Sequence, residues 1–275
     1  MAGNAATPEK PTAGRPETEL VETDFRDGVA IIALNRPDKR NAINDAMRAD
    51  FNKALDWVER DPEVRALVIT GRGRGFCAGG DIAAMQERLK APTGRVAMNG
   101  WKRQRRTHHL LTAIHTLNVP TIAAVNGPAA GLGCDLALCC DFVIGSTEAT
   151  FVMSYVLRGL IPDGGGMYFL PRRVGLARAK ELIFSGRMLG AEEARALNMI
   201  EQVSEPDRLL DDAISMAKSM TRGSPDAVAL AKSIMDQSFE TTMEEVFALG
   251  SQAQAICYTT DSHRDAVSAF LDRSK

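Results

Sequence analysis

Val125-Asn126-Gly127-Pro128-Ala129-Ala130-Gly131-Leu132-Gly133-Cys134-Asp135 is the stretch on which the fold turns. It follows the apolar, β-like run 121–125 and leads into Leu136-Ala137-Leu138, which continues at helical spacing. A strand therefore passes through a glycine-rich turn into a buried helix. Glycine at 127, 131 and 133 lets a ligand approach the main chain. Amides at a helix start have no intrahelical partner and sit at the positive end of the dipole, so such a turn can hold a developing negative charge. It is equally the form of an ordinary α/β connection. The flanking sequence has to decide.

The chain has 275 residues, 45% of them hydrophobic, and a net charge of −2. That length supports a large core in one big domain, or one domain with an appendage. The charge gives no global attraction to nucleic acid or an anionic membrane. The five cysteines show no CxxC or Cys/His ligand spacing, so they read as reduced core thiols and no metal site is expected. No apolar run approaches the roughly 18 residues of a membrane span. Residues 1–18 are expected to be a disordered tail, because their Ala/Pro/Thr/Gly-rich start has no apolar signal-peptide core. The expectation is a soluble, cytoplasmic protein.

Outward from the central turn, 29–34 and 66–70 read as buried strands on either side of a helix with Asn44 as N-cap and Met47, Phe51, Leu55 and Val58 on one face. A second glycine-rich turn, Gly71-Arg72-Gly73-Arg74-Gly75-Phe76-Cys77-Ala78-Gly79-Gly80-Asp81-Ile82, follows the second strand. It fails the dinucleotide fingerprint, which needs glycine where Phe76 stands, and no GK[ST] is present for a P-loop. It reads instead as backbone lying against a ligand. The polar stretch 87–106, interrupted by Pro92, Gly94 and Gly100, reads as a mobile loop bordering a pocket; its basic cluster Lys102-Arg103 and Arg105-Arg106 reads first as a solvated helix face and second as an anion-binding face. His108, His109 and His115 read as packing or surface residues. Strands at 141–146, 150–153 and 200–203 surround a third glycine turn, Arg158-Gly159-Leu160-Ile161-Pro162-Asp163-Gly164-Gly165-Gly166. Three strand–strand–helix units in succession suggest a repeated ββα layout. From 207 onward only amphipathic helices are evident, with more apolar faces than a short tail can bury alone.

The three glycine turns, in this order and spacing, resemble the crotonase superfamily (enoyl-CoA hydratase/isomerase). The matching text is Leu34-Asn35-Arg36-Pro37 with Asn41-Ala42-Ile43, then Gly75–Ile82, Val125–Asp135 and Gly159–Gly165. The resemblance implies an α/β fold, a crotonase-like spiral of repeated ββα units at 19–205, with a helical C-terminal trimerisation region at 206–275. It implies an acyl-CoA substrate, no cofactor beyond the coenzyme A moiety of that substrate, and a homotrimer or dimer of trimers. By position, the backbone N–H groups of Gly80 and Leu132 would cradle the thioester oxygen; leucine is a departure, since glycine is common there. Losing one such donor costs about 3–4 kcal/mol of transition-state stabilisation in a comparable hole. The segment Ala78-Gly79-Gly80-Asp81-Ile82 would lie on the coenzyme with Ala78 by the adenine, and the loop containing Ala42 would run along it. Arg40, with Phe270 and Arg273 from the C-terminal region, is a candidate partner for its phosphates.

A hydratase of the family uses two glutamates, and the resemblance aligns Asp135 and Tyr155 with them. Tyrosine, with a reference pKa near 10, is a poor base at neutral pH. Asp163, in the Gly-Leu-Ile-Pro-Asp-Gly-Gly context, resembles the base of ring-forming and double-bond isomerases in phenylacetate breakdown. Two nearby carboxylates in an apolar pocket would push one pKa upward. The expectation is an enoyl-CoA isomerase with Asp163 as base and Asp135 as partner. Hydration of a 2-enoyl-CoA by Asp135 and a water is the alternative. If both aspartates only cap their helices, the protein is a non-catalytic acyl-CoA binder.

Overall fold

In the computed structural model the described residues are 14–273, so most of the tail expected at 1–18 lies outside them. β1 (Val21–Arg26) pairs antiparallel with β2 (Val29–Leu34), whose six residues are all buried. Burial on both faces is why β2 is an unbroken apolar run with no alternation. α1 (Asp45–Arg60) starts where the Asn44 side chain accepts from Met47 N at 2.8 Å, and it buries Met47, Phe51, Leu55 and Val58. β3 (Ala66–Gly71) then adds in parallel to β2.

The stretch expected to be an irregular loop is helical instead: α2 (Ile82–Leu89) and α3 (Thr93–His115). Pro92 stands at the α3 N-cap, before the first turn, where its missing N–H disrupts no helical bond. A side chain at Gly94 or Gly100 would meet open space. Exposed helix glycines of this kind cost only about 1 kcal/mol each. Burial of Thr107, Leu110, Leu111 and Ile114 anchors the C-terminal half of α3.

β4 (Thr121–Val125), β5 (Pro128–Ala130) and α4 (Leu132–Leu138) form the central strand–turn–helix. β6 (Phe142–Ser146), β7 (Thr150–Val152), α5 (Gly166–Val174) and α6 (Leu176–Ser185) repeat the pattern. β8 (Met188–Gly190), α7 (Ala191–Ala196) and β9 (Gln202–Ser204) complete the core. The strands make a six-stranded sheet in the order β1-β2-β3-β4-β6-β9 and a three-stranded sheet in the order β5-β7-β8. β4 passes directly to β5 and β6 to β7, while Cys77, just beyond β3, bridges Ala129 in β5. Each turn of the chain thus steps from the large sheet to the small one before its helix. This is the ββα spiral.

α8 (Leu209–Met220) does not extend away from the core. Its Leu209, Ala213, Ile214 and Ala217 pack on Val29, Ile31, Val68 and Ile122, covering the second face of the large sheet. α9 (Pro225–Met235) is capped by Ser224, and α10 (Met243–Cys257) opens with a Thr242–Glu245 capping box. With α11 (Asp261–Arg273), these helices leave Met235, Phe239, Phe247 and Phe270 exposed.

Candidate active site

Two backbone segments meet at the edge of the small sheet. Ala78 N donates to Arg40 O (2.9 Å), Ile43 N to Gly79 O (2.7 Å) and Asp81 N to Ile43 O (3.1 Å), so 78–81 lies as a short parallel strand beside 40–43. In that pattern Ile43 bonds the residues on either side of Gly80, and Gly80's own N–H points the other way. Leu132 is on that side. A Cβ at Gly79 would lie 3.3 Å from Leu132 N and 2.6 Å from Ala130 O, and Gly79 has a φ of 91°, so only glycine fits there. Leu132 opens α4, which leaves its N–H without an intrahelical acceptor. Among the described residues no backbone carbonyl accepts from Gly80 N or Leu132 N. Both residues line one cavity of about 140 Å³, with Ala78, Gly79 and Ile82 on one wall and Tyr155 and Asp163 on the other.

The two aspartates have different surroundings. Asp135 is fully buried and does not line the cavity. The Tyr155 hydroxyl donates to its Oδ2 at 2.5 Å. Oδ1 has no hydrogen-bond partner of normal geometry, although the peptide groups of Gly164 and Gly166 come close enough to hold the pKa down in part. Burial is the larger influence, and with the charge of Asp163 it lifts the Asp135 carboxyl to about 7. The Tyr155 hydroxyl is pushed up by burial and by Asp135, so it stays protonated. Asp163 is half-buried and lines the cavity directly. Burial raises its pKa, while the charges of Arg103 and His108 pull it back. Its loop is tied down by His108, whose Nε2–H donates to Asp163 O at 2.8 Å.

Of the other nominated residues, Asp81 caps α2 through Ala84 N (3.2 Å) and pairs with Arg36 at 3.1 Å. Burial pushes its carboxyl up, but those two partners outweigh it and hold the pKa below the usual value. Ala42 is tied to Arg36 through its carbonyl (2.6 Å), and Arg40 is exposed beside Ala78. Neither Asp81, Ala42 nor Arg40 lines the cavity, and exposed Phe270 does not either. The Arg273 side chain lies outside the described residues. The cavity also takes in Met85, Arg103, Gln104 and Thr107 from α2 and α3, and Ser154, Arg158, Leu160 and Ile161 around the third turn. Apart from Ile82, the sequence motifs do not point to the residues from α2 and α3. The periodic set 103, 107, 110, 111, 114 is the signal that puts Arg103 on the inward face of α3. Among the described residues no group of His, Cys, Asp and Glu could hold a metal ion, and no helix is long and apolar enough to cross a membrane.

The family model described as enoyl-CoA hydratase/isomerase matches residues 24–275. A 1,2-epoxyphenylacetyl-CoA isomerase from Escherichia coli K12 is 38% identical over 92% of this chain and 95% of its own length. A short-chain-enoyl-CoA hydratase from Clostridium acetobutylicum is 34% identical over 90% of this chain and 92% of its own. The crystal structure of an enoyl-CoA hydratase/isomerase from Cupriavidus metallidurans CH34 superposes with a TM-score of 0.86 at 34% identity, covering 94% of this chain and 95% of that one. With two free amides facing a carboxylate-lined cavity in a ββα spiral, the chain belongs to the enoyl-CoA hydratase/isomerase family and is an enzyme of the crotonase type.

Proposed function

We propose that this enzyme shifts the double bond of an enoyl-CoA, with Asp163 as the base and the N–H groups of Gly80 and Leu132 holding the enolate oxygen. One observation carries the reading: of the two aspartates, only Asp163 lines the cavity. Its carboxylate takes the proton between the thioester and the double bond of a 3-enoyl-CoA. The charge spreads onto the thioester oxygen, where two preorganised donors stabilise it. The same proton returns to the far end of the dienolate, giving the conjugated 2-enoyl-CoA. No atoms are gained or lost. Ala78, Gly79 and Ile82 would flank the coenzyme, with Arg40 and the C-terminal Phe270 and Arg273 toward its phosphates. The exposed apolar side chains of α9 and α10 support assembly as a trimer or a dimer of trimers.

Hydration of a 2-enoyl-CoA is the second reading, favoured by the hydratase at 34% identity. Asp135 would then work through Tyr155, because it has no surface in the cavity. Purified protein is tested with a 3-enoyl-CoA, where rising conjugation absorbance reports isomerisation, and with a 2-enoyl-CoA, where falling absorbance reports hydration. Asp163→Asn should lower isomerisation by about 10²–10⁴-fold, the usual share of a general base. Unchanged turnover in that variant would place the base elsewhere.

A further inference from the structure

Resting on the acyl-CoA reading, we propose that the preferred acyl group ends in a carboxylate, received by Arg103 with Arg158 as the second cation. Arg103 projects from α3 into the cavity, where its Nε is buried without a hydrogen-bond partner. Of its neighbours in the basic cluster, Arg106 pairs with Asp45, Arg105 lies over the Trp101 ring and Lys102 is exposed to solvent. Arg36, another cation near the Gly80 segment, pairs with Asp81. Among the described residues Arg103 has no ion pair, although Asp163 is near enough to feel its charge.

The charged groups lining the cavity are Arg103, Arg158 and Asp163, two cations to one carboxylate, since Tyr155 stays protonated. Arg158 uses one nitrogen on Ser154 O (3.0 Å) and has others to offer. A neutral alkyl end pressed against Arg103 would strip its remaining water and return nothing, and unpaired buried donors are costly. A carboxylate matches the planar guanidinium fork and balances the excess charge.

The test uses saturated thioesters, which have no double bond to move. Glutaryl-CoA is compared with pentanoyl-CoA and adipyl-CoA with hexanoyl-CoA, with free coenzyme A as baseline, by calorimetry on the 275-residue enzyme. At least one dicarboxylic thioester should bind about tenfold tighter than its neutral counterpart, the gain expected from one good charged pair. Arg103→Gln and Arg103→Met should each erase most of that preference and leave free coenzyme A binding unchanged. Equal or better binding of the neutral thioesters in the wild type, a comparison that needs no variant, would overturn the proposal. So would equal weakening of free coenzyme A by either variant, which would assign Arg103 to the coenzyme. If no thioester binds better than free coenzyme A, the acyl-CoA reading fails and this proposal with it.

Discussion

Replacing Asp135 with asparagine should remove a pH-dependent loss of stability that the wild-type chain carries. Asp135 is fully buried, and burial lifts its carboxyl from 3.8 to about 7. Because the folded pKa is the higher one, the folded chain binds more protons than the unfolded chain between those values. Stability therefore falls as pH rises. The loss starts near pH 3.8 and is complete above about pH 7. At about 1.4 kcal/mol per pH unit, that span corresponds to about 4 kcal/mol. Roughly three-quarters of it falls between about pH 4.5 and 8. Asparagine keeps the shape and an oxygen for the Tyr155 hydroxyl, but it cannot ionise. Its amide group adds a buried donor costing about 1–3 kcal/mol at every pH, so the variant's absolute stability decides nothing. The difference between variant and wild type does. Followed by circular dichroism at fixed protein concentration, the melting temperature of Asp135→Asn relative to wild type should rise by about 6 °C from pH 4.5 to pH 8. A flat or falling difference would mean that Asp135 is already ionised in the fold at pH 4.5, and the reasoning would be wrong.

Other substitutions probe the remaining parts of the site. The base works ionised, so kcat/KM for a neutral 3-enoyl-CoA should rise with pH through an acid limb above 3.8, and Arg103→Gln should move that limb to higher pH by removing the charge that holds Asp163 down; a stationary limb would dissociate the two residues. Gly79→Ala puts a methyl 2.6 Å from Ala130 O at a φ of 91°, so it should cost about 1–3 kcal/mol in thermal unfolding and lower kcat by separating the Gly80 and Leu132 amides. Full activity in a folded Gly79→Ala variant would show that the amides do not act as a pair. Tyr155→Phe should spare isomerisation within about tenfold and abolish any hydration, because only hydration routes a proton through the phenol; equal loss of both would give Tyr155 a direct part in the double-bond shift.

β2, β3, β4 and β6 were legible because each is a short apolar run, mostly buried and closed by glycine or a polar turn; β1, β5 and β8 were not, since each is polar or only three residues long and buries a single residue (Val21, Ala129 and Leu189). The sheet order was not legible, since β4 beside β6 depends on which runs meet in space. Gly80, Leu132 and Asp163 stand in glycine turns whose spacing marks them, Tyr155 stands three residues before the third turn and was marked only by the resemblance, and all four line the cavity. Arg103 was hidden by a local signal pointing the wrong way. Pro92, Gly94 and Gly100 suggest an irregular loop, but tertiary burial of Leu110, Leu111 and Ile114 stabilises a helix through them. Asp135 was misleading in another respect. Its place in a glycine turn is the same kind of signal as that of Asp163, and only the packing of Tyr155, Gly164 and Gly166 around it shows that it is walled off from the cavity.

That wall bears on which chemistry the cavity favours. The Tyr155 hydroxyl gives its hydrogen to Asp135, so what it offers the cavity is an oxygen that accepts. An accepting phenol can orient a water molecule, but it can take a proton only by passing its own inward at the same moment. Asp135, lifted to about 7, is a usable sink for that proton near neutrality, and it is filled in acid. Hydration by this route therefore needs two coupled transfers across a buried pair. A double-bond shift asks for one ionised carboxylate at the cavity surface and two fixed donors for the developing charge. Asp163 and the amides of Gly80 and Leu132 have that arrangement without any rearrangement of the buried pair, which makes isomerisation the smaller demand on these residues.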